Sequence, residues 1–205
     1  MSRFESAEAT PWSRRRFLER LVAVTGGVLV AGTVVRLPRA SSAPSASREA
    51  SVLNFLLLLE SMQAQFYGEA LGKGALTGEL RRFAEVVVQD ERRHVDFLEK
   101  ALADAREEPS SVAFGDATGS EQAFVDAAIA LEESAIATYI GQGANLTGRY
   151  VTDAARITSV EARHAAWIRA IAGRNPAPRG QDVAKTAREV TTNLSELGFL
   201  PGTPG

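Results

Sequence analysis

Apolar residues recur at three- and four-residue spacing in four stretches beyond Ser47, covering about 49–71, 78–105, 120–142 and 153–172. That spacing puts them on one face of a helix, so four long amphipathic helices are expected. Gly72, Gly74 and Gly78 stop the first, Glu107-Glu108-Pro109 the second and Gly173-Arg174-Asn175-Pro176 the fourth. The connection between the second and third, near residues 106–119, is long and rich in Ser, Gly, Pro and acidic residues, whereas the other two connections are short. About 14 extended residues reach roughly 45 Å, and a helix of about 28 residues is roughly 42 Å long. The middle link can therefore return along the whole bundle and leave the second and third helices parallel. Residues 181–197 form a fifth, weakly amphipathic segment expected to pack outside the bundle or project from it, followed by a frayed Pro-Gly-Thr-Pro-Gly end.

The two halves repeat. Leu59-Glu60 with Ala64 and Tyr67 is echoed by Leu131-Glu132 with Ile136 and Tyr139, and Glu91-Arg92-Arg93-His94 by Glu161-Ala162-Arg163-His164. The chain reads as two copies of one helical hairpin. Each of its 2 histidines follows a glutamate by three positions, one helical turn away on the same face. Glu60, Glu91, Glu132 and Glu161 each stand in line with apolar residues, where a core side chain belongs. Glu60, for example, lines up with Leu53, Leu56 and Tyr67, and Glu132 with Phe124, Ala128 and Tyr139. Four unpaired buried carboxylates would cost several kcal/mol each. Two divalent cations would remove that cost by setting four positive charges against four negative ones. Glu60, Glu91, His94, Glu132, Glu161 and His164 are accordingly the expected metal ligands. Glu133 is the neighbour that could replace Glu132, but the repeat favours Glu132 and leaves Glu133 solvated or behind the ligands. Tyr67 and Tyr139 sit two turns beyond their glutamates on the same face and are the candidate catalytic residues, bonding the site or passing electrons to it.

Composition narrows the chemistry further. With no cysteine, disulfides and thiolate metal sites are excluded. Oxygen and nitrogen ligands suit iron or manganese, with zinc allowed. The formal net charge of -2 becomes more acidic once the basic start is set aside. Residues 1–46 hold 7 Arg and 3 Glu, which leaves 16 basic against 22 acidic residues, net -6. No nucleic-acid partner is expected.

Ser13-Arg14-Arg15-Arg16-Phe17-Leu18-Glu19 precedes an apolar run from Leu21 to Val35 and the small-residue stretch Ala40–Ala46. About 15 apolar residues are short for a bilayer span, where roughly 20 are needed, and the layout is that of a cleavable export signal. Residues 13–18 resemble the twin-arginine (Tat) pattern, Ser/Thr-Arg-Arg-x-Phe-Leu, with Glu19 where Lys is common. That resemblance implies Tat export of a folded, metal-loaded protein to the periplasm, cell envelope or exterior, with no membrane contact after cleavage.

Across residues 50–173 the six-ligand pattern resembles the ferritin-like superfamily, in particular a bacterial branch related to desiccation-associated proteins. The resemblance implies an all-α, ferritin-like four-helix bundle with one long crossover between helices 2 and 3. The domain layout expected is a signal segment at 1–47, the bundle at 48–175 and a C-terminal helical extension at 176–205. It also implies Glu60 and Glu132 as single carboxylates, Glu91/His94 and Glu161/His164 as paired ligands with Glu91 and Glu161 bridging, and two Fe ions, with Mn or mixed Fe/Mn as the alternative. Dioxygen or hydrogen peroxide is the expected substrate, and iron oxidation, peroxide removal or a related redox reaction the expected activity, in a monomer or dimer. The competing expectations are a non-catalytic envelope protein with a structural or vestigial metal, and a dimanganese enzyme dismutating peroxide. Gln63 and Gln65 stand where relatives of that branch are often acidic, so no accessory ion is expected there. Phe97 and Trp167 read as core or interface.

Overall fold

The computed structural model describes residues 44–200. The leader expected at residues 1–47 lies almost wholly outside the described residues. Five α-helices and no strands occur among the described residues: α1 (Ala46–Lys73), α2 (Gly78–Leu102), α3 (Glu121–Gln142), α4 (Gly148–Ile171) and α5 (Ala187–Glu196). None of the described helices is long and apolar enough to cross a membrane.

Side-chain capping explains where the helices begin. The Ser45 hydroxyl accepts from Arg48 N and opens α1, and Ser120 accepts from Ala123 N and opens α3. α2 and α4 begin instead on threonines that borrow a carboxylate from the opposite hairpin. Thr77 N and Oγ1 donate to Glu121 Oε1 at 2.9 and 2.7 Å. Thr147 N and Oγ1 donate to Glu49 Oε1 at 2.5 and 2.6 Å. The repeat offsets relate one pair to the other, so the internal symmetry extends from the bundle core to its ends.

These contacts fix the topology. Glu121, in the first turn of α3, touches the start of α2, so α2 and α3 begin at the same end of the bundle and run parallel. Glu49, in the first turn of α1, meets the start of α4, which makes α1 and α3 antiparallel. The link at 103–120 must therefore return along the bundle. It is tied at one end where Asn54 Nδ2 donates to Ala105 O and Glu107 N donates to Asn54 Oδ1. At the other end Lys73 Nζ donates to buried Thr118 Oγ1 at 2.6 Å, and the Thr118 hydroxyl donates to Glu69. The expected crossover is present.

Several boundaries differ from the sequence reading, among them the start of α1, three residues early at Ala46. α2 ends at Leu102, where Ala103 turns to a positive φ of 47° and a short 3-10 turn follows. α4 begins at Gly148, five residues before the expected start, because the Glu49 carboxylate caps it from a distant helix. α5 begins at Ala187, not near 181, behind a capping box in which Thr186 and Glu189 bond each other's backbone. It packs rather than projects: Val190 and Leu194 are fully buried.

Residues 174–186 form a strap along α3, held where Lys185 N donates to Ala137 O at 2.9 Å. Gly141 makes the crossing possible, since a Cβ there would lie 2.0 Å from Lys185 O. The strap and α5 cover the outer side of α3, which explains why that helix is buried nearly all round, including Ser134 and Thr138.

Two apolar clusters fill the bundle. One gathers Phe66, Phe83, Phe124, Ile168 and Leu194, with the Phe66 and Phe124 rings stacked at 5.3 Å. The other gathers Leu53, Leu56, Leu57, Leu98, Leu102 and Ile157. Along each of α1 to α4 the glutamates and histidines fall between residues of the first cluster and residues of the second, so one polar layer lies between two dry ones.

Candidate metal centre

All six expected ligand residues come together in that layer, and all are buried. The i, i+3 spacing on α2 and on α4 places each histidine beside its own glutamate, and the antiparallel hairpins bring the two pairs face to face. Two overlapping groups have one ligand atom from each residue within 4.8 Å of the others: Glu60, Glu91, His94 and Glu161, and Glu91, Glu132, Glu161 and His164. Glu91 and Glu161 belong to both.

Around the first group, His94 Nδ1 donates to Glu60 Oε2 at 3.1 Å and Glu91 Oε2 at 3.2 Å and lies 3.1 Å from Glu161 Oε1. Around the second, His164 Nδ1 lies 3.2 Å from Glu91 Oε1 and 3.4 Å from Glu132 Oε2, off the hydrogen-bond direction. The tyrosines cross over between halves. Tyr139 donates to Glu60 Oε1 at 2.6 Å, and Tyr67 donates to Glu132 Oε1. Both phenols are buried, and burial beside carboxylates holds their pKa values well above the ordinary one.

The electrostatics are those of a crowded anionic site balanced by protons. Burial opposes charge on His94, but Glu161, Glu60 and Glu91 overcome it and push the imidazole up to about 12. His164 is pushed up to about 11 by Glu132 and Glu91 against the same penalty. Glu91 rises to about 8, chiefly through burial and then through the charges of Glu60 and Glu132, despite the attraction of both nearby histidines. Glu161 is raised well above the carboxylate range by burial and by Glu91, Glu60 and Glu132. Burial pushes Glu60 the same way, yet its bonds to His94, Glu91 and Tyr139 hold it below the ordinary value. Four carboxylates within such reach cannot all ionise without cations.

The residues fit a bound metal, and their unsatisfied atoms show why. Glu91 Oε1, Glu132 Oε2, Glu161 Oε1, His164 Nδ1 and Gln63 Oε1 are buried without a hydrogen-bond partner in the protein. Buried polar atoms are normally satisfied, and four of these five belong to residues of one candidate ion position.

Two contributors escaped the sequence reading. Gln63, fully buried, donates through Nε2 to Glu132 Oε1 at 3.2 Å and Glu161 Oε2 at 3.3 Å. Asp90 accepts from His164 Nε2 through Oδ2 at 3.4 Å while its Oδ1 accepts from Arg93 at 2.5 Å. Asp90 was legible only as the residue before Glu91. Gln65 is exposed and bonds the Ser61 carbonyl. Glu133 pairs with Arg169. Trp167 packs edge-on against Phe83 and donates to Glu79, and Phe97 lies against the second apolar cluster.

A search of curated proteins returned no match. A family model described as the ferritin-like domain matches residues 48–174, which spans all four bundle helices and every ligand position. The chain therefore belongs to the ferritin-like domain family.

Proposed function

We propose that the bundle holds two metal ions, iron foremost, and carries out oxygen- or peroxide-dependent iron oxidation or closely related redox chemistry. The observation that carries this reading is the pair of overlapping buried four-residue groups sharing Glu91 and Glu161. Redox ions held by these residues would supply electrons to dioxygen or peroxide. The protein's own contribution is placement. Tyr67 and Tyr139 hold one oxygen each of Glu132 and Glu60, leaving the other oxygen to face an ion, and the two apolar clusters keep bulk water from the layer. An apolar groove between α3 and α4, lined by Tyr139, Val151, Ala155, Thr158 and Ala162, brings the surface to the Tyr139 ring. It is suited to a small uncharged reactant.

Export through the Tat route belongs to the same proposal and is supported by Ser13-Arg14-Arg15 with Phe17-Leu18 and the apolar run after them. Loading before export would suit a site this deeply buried. A relation to desiccation-associated proteins is part of the reading too, resting on the sequence pattern.

The test is metal content per chain after purification without added metal, with Fe(II) oxidation rates for the wild type, His94→Ala and Glu161→Ala. Two ions per chain and accelerated oxidation lost in both variants are expected. A metal-free protein whose stability ignores chelators points instead to a non-catalytic envelope protein. Oxygen evolution from peroxide by a manganese-loaded form points to the dismutating enzyme.

A further inference from the structure

The repeat makes the two ion positions look equivalent, and most of the geometry obeys it. Tyr67 and Tyr139 reach across in the same way, and the Glu/His pairs recur at a fixed offset in the sequence. Three observations break the symmetry, and all three fall on the same side.

First, Gln63 has no polar counterpart, since the matching residue of the third helix is Ala135. Its amide donates to Glu132, a ligand candidate of the His164 position alone, and to Glu161. With Tyr67 it gives Glu132 Oε1 two donors, whereas Glu60 Oε1 has a single hydroxyl donor in Tyr139. Second, Asp90 accepts from His164 Nε2, and its counterpart in the repeat is Val160, which has no acceptor. A carboxylate on the outer nitrogen holds the ring with Nδ1 toward the layer and makes that nitrogen a better ligand once an ion displaces its proton. Arg93 holds Asp90 in turn. Third, His94 Nδ1 is aligned for hydrogen bonds to Glu60 and Glu91, whereas His164 Nδ1 meets Glu91 Oε1 and Glu132 Oε2 at 3.2 and 3.4 Å off the hydrogen-bond direction. A cation at the His94 position displaces two aligned hydrogen bonds, whereas one at the His164 position displaces only misaligned contacts.

We propose that the two positions are inequivalent: the one formed by Glu91, Glu132, Glu161 and His164 takes its ion first, and Gln63 and Asp90 are the positioning residues that make it so. This rests on the reading of the layer as a dinuclear metal site. Partners behind metal ligands are typically worth 10- to 100-fold in affinity, so the two dissociation constants should differ by about tenfold or more.

The test titrates metal-free mature protein with Co(II), followed by visible absorption and calorimetry, and locates the first equivalent by anomalous diffraction. Two resolved steps are expected, with the first ion beside His164. Gln63→Leu with Asp90→Val, which removes both polar contacts at little change in volume, should merge the steps to within about threefold and shift the Co(II) spectrum of the first. Asp90→Asn, which keeps an acceptor, should restore most of the split in an otherwise wild-type chain. Asp90 is partly exposed, so the single Asp90→Val variant gives the same reading, with a smaller effect, if the double variant folds poorly. A single statistical affinity in the wild type, a first ion beside His94, or an undiminished split in the variants overturns the inference and leaves the dinuclear reading standing. Failure to bind any ion overturns both.

Discussion

Removing the metal should cost more stability the higher the pH. In the metal-free protein the buried layer is balanced by protons, and their release points set the sign. His94 and His164, raised to about 12 and about 11, add stability that is fully present below their ordinary value near 6.5 and is lost as pH climbs toward those raised values. Glu91, raised to about 8, and Glu161, raised well above the carboxylate range, favour the fold only while protonated, so their contribution also falls as pH rises above about 4.5. Cations reverse the dependence, because they bind the deprotonated groups and each displaced proton strengthens apparent binding tenfold per pH unit. An ion at 100 times its dissociation constant adds about 2.7 kcal/mol, and two add about 5 kcal/mol. For a domain of this size that is roughly 10–20 °C in Tm. With one proton displaced per ion, the gap grows by about 3 kcal/mol for each pH unit at fixed free metal. Scanning calorimetry of Mn(II)-loaded and chelated protein between pH 6 and 8 measures it directly. A gap under about 2 °C, or one that narrows as pH rises, would refute the assignment of the layer to metal.

Glu161→Gln removes a carboxylate that the metal-free fold resists ionising, so chelated protein should melt a few degrees higher while the metal-induced rise falls below half; a lower metal-free Tm would contradict the charge-crowding argument. Ala103→Gly relieves a non-glycine residue at φ 47° and should gain about 1 kcal/mol in urea unfolding. Gly141→Ala puts a methyl into Lys185 O and should cost about 1–3 kcal/mol, with protease cleavage appearing in the strap at 174–186. Phe66→Ala empties the centre of the aromatic cluster and should cost about 3–5 kcal/mol, measured by chemical denaturation.

The helices and the six clustered residues could be read from the sequence because each left a local, repeated mark. Glu91 and His94 are one turn apart, and the whole pattern recurs at Glu161 and His164. Gln63 and Asp90 left no such mark, since each acts on residues from other helices and neither recurs in the second half. The early start of α4 was hidden for a similar reason. Gly-Arg-Tyr-Val-Thr after Thr147 looks like loop, and the carboxylate that caps it belongs to Glu49, 98 positions away. At α5 the capping box Thr186–Glu189 was written in the chain, but the polar run before it blurred the boundary. The Tat-like leader falls among residues that the structure does not describe.

The exchanged carboxylates at the helix starts bear on how the protein comes apart. Glu49 terminates a helix of the other hairpin, and Glu121 returns the favour, so neither hairpin owns a complete set of closed ends. Separated, each would expose free amides at its second helix along with half of the charged layer. Melting one pair while the other persists is therefore penalised twice, at the rim and at the centre, and the four helices should dissolve in a single cooperative step.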